Sequence, residues 1–188
     1  MTTVDEFLTA VLESLDYLHA NLPSGSHVAF LGLVDGRVLW NTTHTQQHPL
    51  GMSYPRLYEY LACTGSTPCW GWLNSNETWR NFTSERAQNL TNVYDAIIQA
   101  NATRYADVFD MYRLNVDWPA LIADYVAAGG QAMDVIELVD GFHPSQVGNQ
   151  LLAGILLKDI QANKPNWIKE NPHNADIIRT FGAGLNGY

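Results

Sequence analysis

The run Val139-Asp140-Gly141-Phe142-His143-Pro144 places an aspartate three positions before a histidine. In a loop that enters a helix, this spacing lets the carboxylate hold the imidazole at Nδ1 and leaves Nε2 facing a cleft. Such a pair can orient a hydrolase triad. The histidine takes the proton of a nucleophile and passes it to the leaving group, while the carboxylate fixes the tautomer and stabilises the imidazolium. Spacing alone favours a plainer role, with His143 at a helix entry and Asp140 as a turn former beside Gly141. A metal site is the weakest of the three readings, because no HExxH run, no histidine pair at helical spacing and no Cys/His cluster supplies further ligands. No cofactor is expected.

A triad needs a nucleophile. Ser24, Ser26, Ser53, Ser66, Ser75, Ser84 and Ser145 are of the right type, yet none stands in Gly-Asp-Ser or in Gly-x-Ser-x-Gly. The backbone donors that would build an oxyanion hole beside such a serine are missing with it. His44 and His48 are open to contact with a substrate head group, but hydrogen-bonded structural roles in the insertion are expected. Trp70, Trp72 and Trp79 suit core packing and shielding of the cysteines, or the wall of an acyl groove.

Cys63 and Cys69 bracket CTGSTPC, where Gly65 and Pro68 let the chain fold back. A small disulfide loop is expected, with two unpaired buried thiols as the alternative. Asparagine glycosylation acceptors stand at Asn41, Asn76, Asn81, Asn89 and Asn101, which favours a secretory-pathway protein. Asp5, Glu6 and Glu13 occupy the stretch where a leader would need basic and then unbroken apolar residues. The chain therefore reads as the later part of a longer precursor. The net charge of -9 with no Lys/Arg cluster argues against nucleic acid, and the longest apolar runs are too short to span a bilayer.

The elements that must position the Asp-His pair follow an α/β order. Thr3 to Asn21 has a capping box and helical spacing of apolar residues, and His27 to Val34 reads as a buried strand. Asp35-Gly36 is either a hairpin turn or a turn leaving the sheet. Residues from about 41 to 83, rich in turn formers and aromatics, suggest an ordered surface insertion. A helix from Ser84 to about Ala100, a strand from Asp107 to Tyr112, and a helix capped by Asp117 and ended by Gly129-Gly130 follow. A last long helix is expected at about 144–162, with Pro144 in its first turn. Positions 1–188 make one domain.

VDGFHPSQ at 139–146 resembles the final block of the SGNH (GDSL-like) lipases and esterases, where Asp-x-x-His-Pro precedes the C-terminal helix. LPSGSHVAFLGLVDGRVLW from Leu22, HPLG at 48–51, PCWGWLNSN at 68–76, TSERAQNL at 83–90 and KENPHN at 169–174 look like the catalytic subunit of the acyloxyacyl hydrolase family. The resemblance spans about Leu22 to Phe181. It implies the C-terminal part of a three-layer SGNH fold, a parallel sheet flanked by helices, with Asp140 and His143 as catalytic residues. It further implies a secreted or lysosomal lipase that removes secondary fatty acyl chains from bacterial lipopolysaccharide, with the Gly-Asp-Ser, Gly and Asn blocks upstream and a saposin-like small subunit as partner. The rival expectation is a catalytically inactive fragment or relative that binds lipid or a protein partner.

Overall fold

The computed structural model describes residues 2–67, 69–169 and 172–182. Pro68 of CTGSTPC and Glu170 and Asn171 of KENPHN lie outside the described residues. The first helix, α1 (Val4–Asn21), opens as the capping box requires: the Thr3 hydroxyl accepts the Glu6 amide at 3.2 Å and the Glu6 carboxylate takes the Thr3 amide at 2.7 Å. Its apolar stripe, with Leu15 buried at the centre, packs on a parallel pair of strands. These are β1 (Ser26–Leu31) and β2 (Phe109–Leu114), in register from Ser26 opposite Phe109 to Leu31 opposite Leu114.

Parallel neighbours require a long crossover. Here it is helical: α2 (Arg37–Thr43), α3 (Tyr54–Cys63) and α4 (Glu77–Asn101). Leu15, Phe30, Val93, Ile97, Tyr105, Phe109 and Met111 form the core shared by α1, the sheet and α4. The arrangement is mixed helix and strand, as expected, with a sheet of two strands. No helix among the described residues is long and apolar enough to cross a membrane.

β1 stops at Leu31 because the chain turns onto α4, where the Leu33 amide donates to Thr91 Oγ1 at 2.9 Å. Asp35-Gly36 then leaves the sheet and makes no hairpin. The Asp35 carboxylate accepts both the backbone amide and the guanidinium of Arg37, which fixes the start of α2. At Gly36 an added Cβ would lie 2.1 Å from the Trp72 ring. α4 begins earlier than its apolar spacing indicates, because Asn76 Oδ1 caps the Trp79 amide at 3.3 Å.

The 41–83 segment lies partly inside the protein. Tyr54, Leu57 and Tyr58 follow the spacing of one helix face, and with Leu39, Leu73, Val135 and Ile136 they make a second core. Cys63, exposed at the end of α3, and Cys69, half-buried, are free thiols, and burial pushes the Cys69 thiol up. Four of the five sequon asparagines lie in helices and one precedes a helix as its cap. Asn41 lies in α2, Asn76 is the cap of α4, and Asn81, Asn89 and Asn101 lie within it. All are exposed except Asn101, which is half-buried.

Past β2, Asp117 caps α5 (Trp118–Ala127) by accepting the Ala120 amide at 3.0 Å, and Gly129 at φ +100° ends it. A short 3-10 turn, Ala132–Val135, leads to the VDGFHP loop and then to α6 (Gln146–Asn163). Ser145 caps α6 through the Gly148 amide at 3.1 Å, so Pro144 stands just outside it. A second 3-10 turn, Pro165–Trp167, and α7 (Asn174–Phe181) follow.

Candidate active site

The Asp140-His143 segment is a closed loop. Ile136 and Pro144 form an antiparallel bridge at its neck, the Glu137 amide donates to the His143 carbonyl at 2.8 Å and the Ser145 amide to the Val135 carbonyl at 3.0 Å. Within it the Gly141 amide donates to the Glu137 carbonyl at 2.8 Å, and Gly141 has φ +64°. At Gly148, in the first turn of α6, an added Cβ would lie 2.2 Å from the Val135 carbonyl oxygen. This close approach seats the helix on the neck of the loop.

Asp140 uses both oxygens. Oδ1 accepts the amides of Phe142 at 2.8 Å and His143 at 3.0 Å, and Oδ2 meets His143 Nδ1 at 2.7 Å. An ionised carboxylate only accepts, so this network assigns the ring proton to Nδ1 and the lone pair to Nε2. Partial burial pushes the Asp140 carboxyl up, but the bonds from the His143 ring and the two amides outweigh it and hold the carboxyl below its usual value. Asp35 behaves alike, burial opposing and the Arg37 and Ser84 hydrogen bonds prevailing.

A carboxyl whose folded pKa lies below its unfolded value stabilises the fold above the unfolded pKa, and that stability disappears as pH falls through the folded pKa. Both carboxyls have an ordinary value of 3.8. Urea midpoints are therefore expected to be level above about pH 5 and to drop steadily below about pH 4. Asp140→Asn should flatten part of that slope. A midpoint that climbs on acidification would contradict both assignments.

Aspartate-histidine pairing is not special to this loop. His19 meets Asp107 at 2.9 Å and His27 meets Asp110 at 2.5 Å. All three rings meet aromatics, His19 beside Tyr105 and Phe109, His27 stacked on Trp167 and His143 edge-on to Phe142, but the His19 and His27 side chains are only 34% and 35% exposed. The His143 side chain is instead 66% exposed. It stands at the rim of an apolar cavity of about 320 Å³ whose walls include Leu33, Trp72, Trp118, Ile122 and Phe142. A cavity of this size and lining suits an aliphatic chain.

No protein-family model matches the chain. Acyloxyacyl hydrolases of Homo sapiens, Mus musculus and Oryctolagus cuniculus are each 39% identical to it over 188 residues, which is 97% of this chain. The chain is a relative of acyloxyacyl hydrolase. It spans 32% of the length of each of these curated relatives. Agreement with acyloxyacyl hydrolase along nearly the whole chain bears out the resemblance read from the segments between Leu22 and Phe181.

The structure brings Asp140 and His143 together and bonds the Ser24, Ser26, Ser66, Ser84 and Ser145 hydroxyls elsewhere, Ser66 to Thr64 Oγ1. Ser24 donates to the Asp107 carbonyl and Ser26 to the Pro23 carbonyl, both at 2.7 Å. Ser84 donates to Asp35 at 2.5 Å while accepting Trp72 Nε1 at 3.0 Å, and Ser145 donates to the Asp134 carbonyl. Among the described residues no hydroxyl bonds the His143 ring, and no group of three His, Cys, Asp or Glu side chains is placed to hold a metal ion. Trp72 lines the cavity, whereas Trp70 and Trp79 pair with each other, 5.2 Å between ring centroids, and are partly exposed. His44 stays local, bonded to the Trp40 carbonyl at 2.7 Å. His48 is buried and hydrogen-bonded, and it reaches the loop that carries Asp140, with Nε2 2.7 Å from the Val139 carbonyl. No spacing rule links positions 48 and 139, so no signal in the sequence could have paired them.

Proposed function

We propose that this chain supplies the base, His143, and the orienting acid, Asp140, of a carboxylic ester hydrolase that removes fatty acyl chains from an acylated glycolipid. The observation that carries the reading is the His143 ring, its Nδ1 held by Asp140 at 2.7 Å, standing at the rim of an apolar cavity. In this chemistry Nε2 takes the proton of an attacking serine as its oxygen bonds to the ester carbonyl carbon. The imidazolium then gives that proton to the departing alcohol, leaving an acyl-serine. Water attacks the acyl carbon next and loses a proton to the same Nε2, and the imidazolium returns that proton to the serine oxygen as its bond to the acyl group breaks and the fatty acid leaves.

The attacking serine matches none of those in this chain. The reading therefore places it, with the Gly and Asn oxyanion blocks, in sequence outside these residues. The fold in this reading is the C-terminal part of a three-layer SGNH domain, and a saposin-like small subunit is a partner. Parallel sheets are normally covered on both faces and carried by several strands, and Leu31 of β1 is 46% exposed, which supports a larger sheet.

A fluorophosphonate probe tests the reading. The polypeptide that unites this chain with its nucleophile is expected to label, and His143→Ala to abolish labelling while circular dichroism stays native. Labelling that survives His143→Ala would sink the role given to that residue. A protein that binds fatty acid in the cavity and never labels would be the non-catalytic lipid-binding relative.

The same reading carries passage through a secretory pathway, in which Cys63 and Cys69 close a disulfide and sequon asparagines are glycosylated. Intact-mass analysis of secreted material is expected to show the bridge and glycan mass at one or more of Asn41, Asn76, Asn81, Asn89 and Asn101. Two free thiols on unmodified protein would count against it.

A further inference from the structure

Three buried side chains from the segment between α2 and α4 grip the backbone of the Asp140-His143 loop. The Tyr54 hydroxyl donates to the Leu138 carbonyl at 2.6 Å, His48 Nε2 meets the Val139 carbonyl at 2.7 Å, and the Tyr58 hydroxyl donates to the Gly141 carbonyl at 2.8 Å. Tyr54 and Tyr58 are 0% exposed and His48 is 4% exposed. His48 has one role open to it. Its Nδ1 accepts the Leu50 amide at 3.1 Å, so the ring proton sits on Nε2 and is donated to Val139. The Tyr58 oxygen is itself steadied by Thr43 Oγ1 at 2.9 Å. The tyrosines also form the floor beneath the loop, since an added Cβ at Gly141 would lie 2.7 Å from Tyr54 Cε1 and 2.9 Å from Tyr58 Oη.

These contacts are more than core packing: Phe142 packs on the second core, but the stretch just before Asp140 has little apolar anchorage of its own. Leu138 is 48% and Val139 68% exposed, so their side chains contribute little burial that would hold the backbone in place. The fixed points on its inner side are polar, formed in a site shielded from water, where such bonds are stronger and their loss costs more. A catalytic pair tolerates displacements of well under about 1 Å before rate is lost.

We propose that His48, Tyr54 and Tyr58 are positioning residues. They pin the carbonyls of Leu138, Val139 and Gly141 and thereby hold the Asp140 carboxylate where it serves the amides of Phe142 and His143 and the His143 ring at once. This deepens the esterase reading and rests on Asp140 and His143 being its catalytic pair, but its geometry can be tested without turnover.

The test is hydrogen exchange and long-range proton-nitrogen correlation of histidine rings on the isotopically labelled chain, in Tyr54→Phe, Tyr58→Phe and the double variant. Each change removes a hydroxyl and keeps the ring. With the fold intact by circular dichroism, the Phe142 and His143 amides are expected to exchange about tenfold faster, while amides of α1 and β2 keep their rates. The His143 ring is expected to pass from the Nδ1-H tautomer to a mixture. His48→Gln, whose amide can still donate to Val139, should retain the wild-type signature, and His48→Leu should lose it. Unchanged exchange and an unchanged tautomer in the folded variants overturn the proposal, and the two single variants decide it if the double variant fails to fold. Failure of the esterase reading shows separately, as fluorophosphonate labelling that ignores His143.

Discussion

Ester turnover is expected to fall by about 10⁴- to 10⁶-fold when His143 is replaced by alanine in the polypeptide that carries both this chain and its nucleophile. The lower figure corresponds to about 5.5 kcal/mol of transition-state stabilisation. The size follows from the dual role of one ring, which must remove the proton of the attacking oxygen and then protonate the departing one. Asp140→Asn is expected to cost about 10⁴-fold. An amide at that position can donate to Nδ1, which would move the ring proton to Nε2 and leave no lone pair facing the substrate. The informative controls are the aspartate-paired His19 and His27. His19→Ala and His27→Ala keep turnover within about twofold if access to the apolar cavity, and not pairing as such, makes His143 the base. A comparable loss in either control would break the assignment. Steady-state kinetics on a soluble acyl ester reads all four variants.

Gly141→Ala is expected to be the most damaging single methyl in the loop. Its φ of +64° is left-handed, which costs a side chain about 1–2 kcal/mol. The new Cβ would also meet the buried ring of Tyr54 at 2.7 Å and the Tyr58 hydroxyl at 2.9 Å, and forcing extra atoms into such packing costs about 1–3 kcal/mol. Together these remove about 2–5 kcal/mol, a large share of the roughly 5–15 kcal/mol that holds a domain folded. Gly25 isolates the first contribution, since it has φ +86° and nothing within 4 Å of an added Cβ. Urea denaturation is expected to show Gly25→Ala losing about 1–2 kcal/mol and Gly141→Ala clearly more. Equal losses would mean that the tyrosine floor yields.

The short-range signals were legible wherever chemistry and spacing were local. Thr3 with Glu6, and Asp117 before Pro119, mark helix starts that the structure keeps, because a cap is decided within three residues. The start of α4 was harder. Its first turns, from Glu77 to Thr83, carry polar and aromatic residues, so the apolar stripe begins at Ser84 although the cap is Asn76. Asp35-Gly36 left two readings open, and the structure takes the turn that leaves the sheet. A hairpin needs a second strand to receive it, whereas the Asp35 carboxylate binds Arg37 and starts a helix. Residues 41–83 read as surface because tyrosine suits turns and cores alike, and nothing nearby shows that Tyr54 and Tyr58 face a loop more than eighty residues away.

Sequence by itself determined the α/β order, the local Asp140-His143 pairing and, through 39% identity along 97% of the chain, the relationship to acyloxyacyl hydrolase. These depend on residues close together or on segments compared in order. The tertiary structure decided that His143, and neither His19 nor His27, opens onto an apolar cavity, and which buried groups bond its loop. Both are set by contacts between residues far apart in the chain, where His48, Tyr54 and Tyr58 meet the carbonyls of Leu138, Val139 and Gly141.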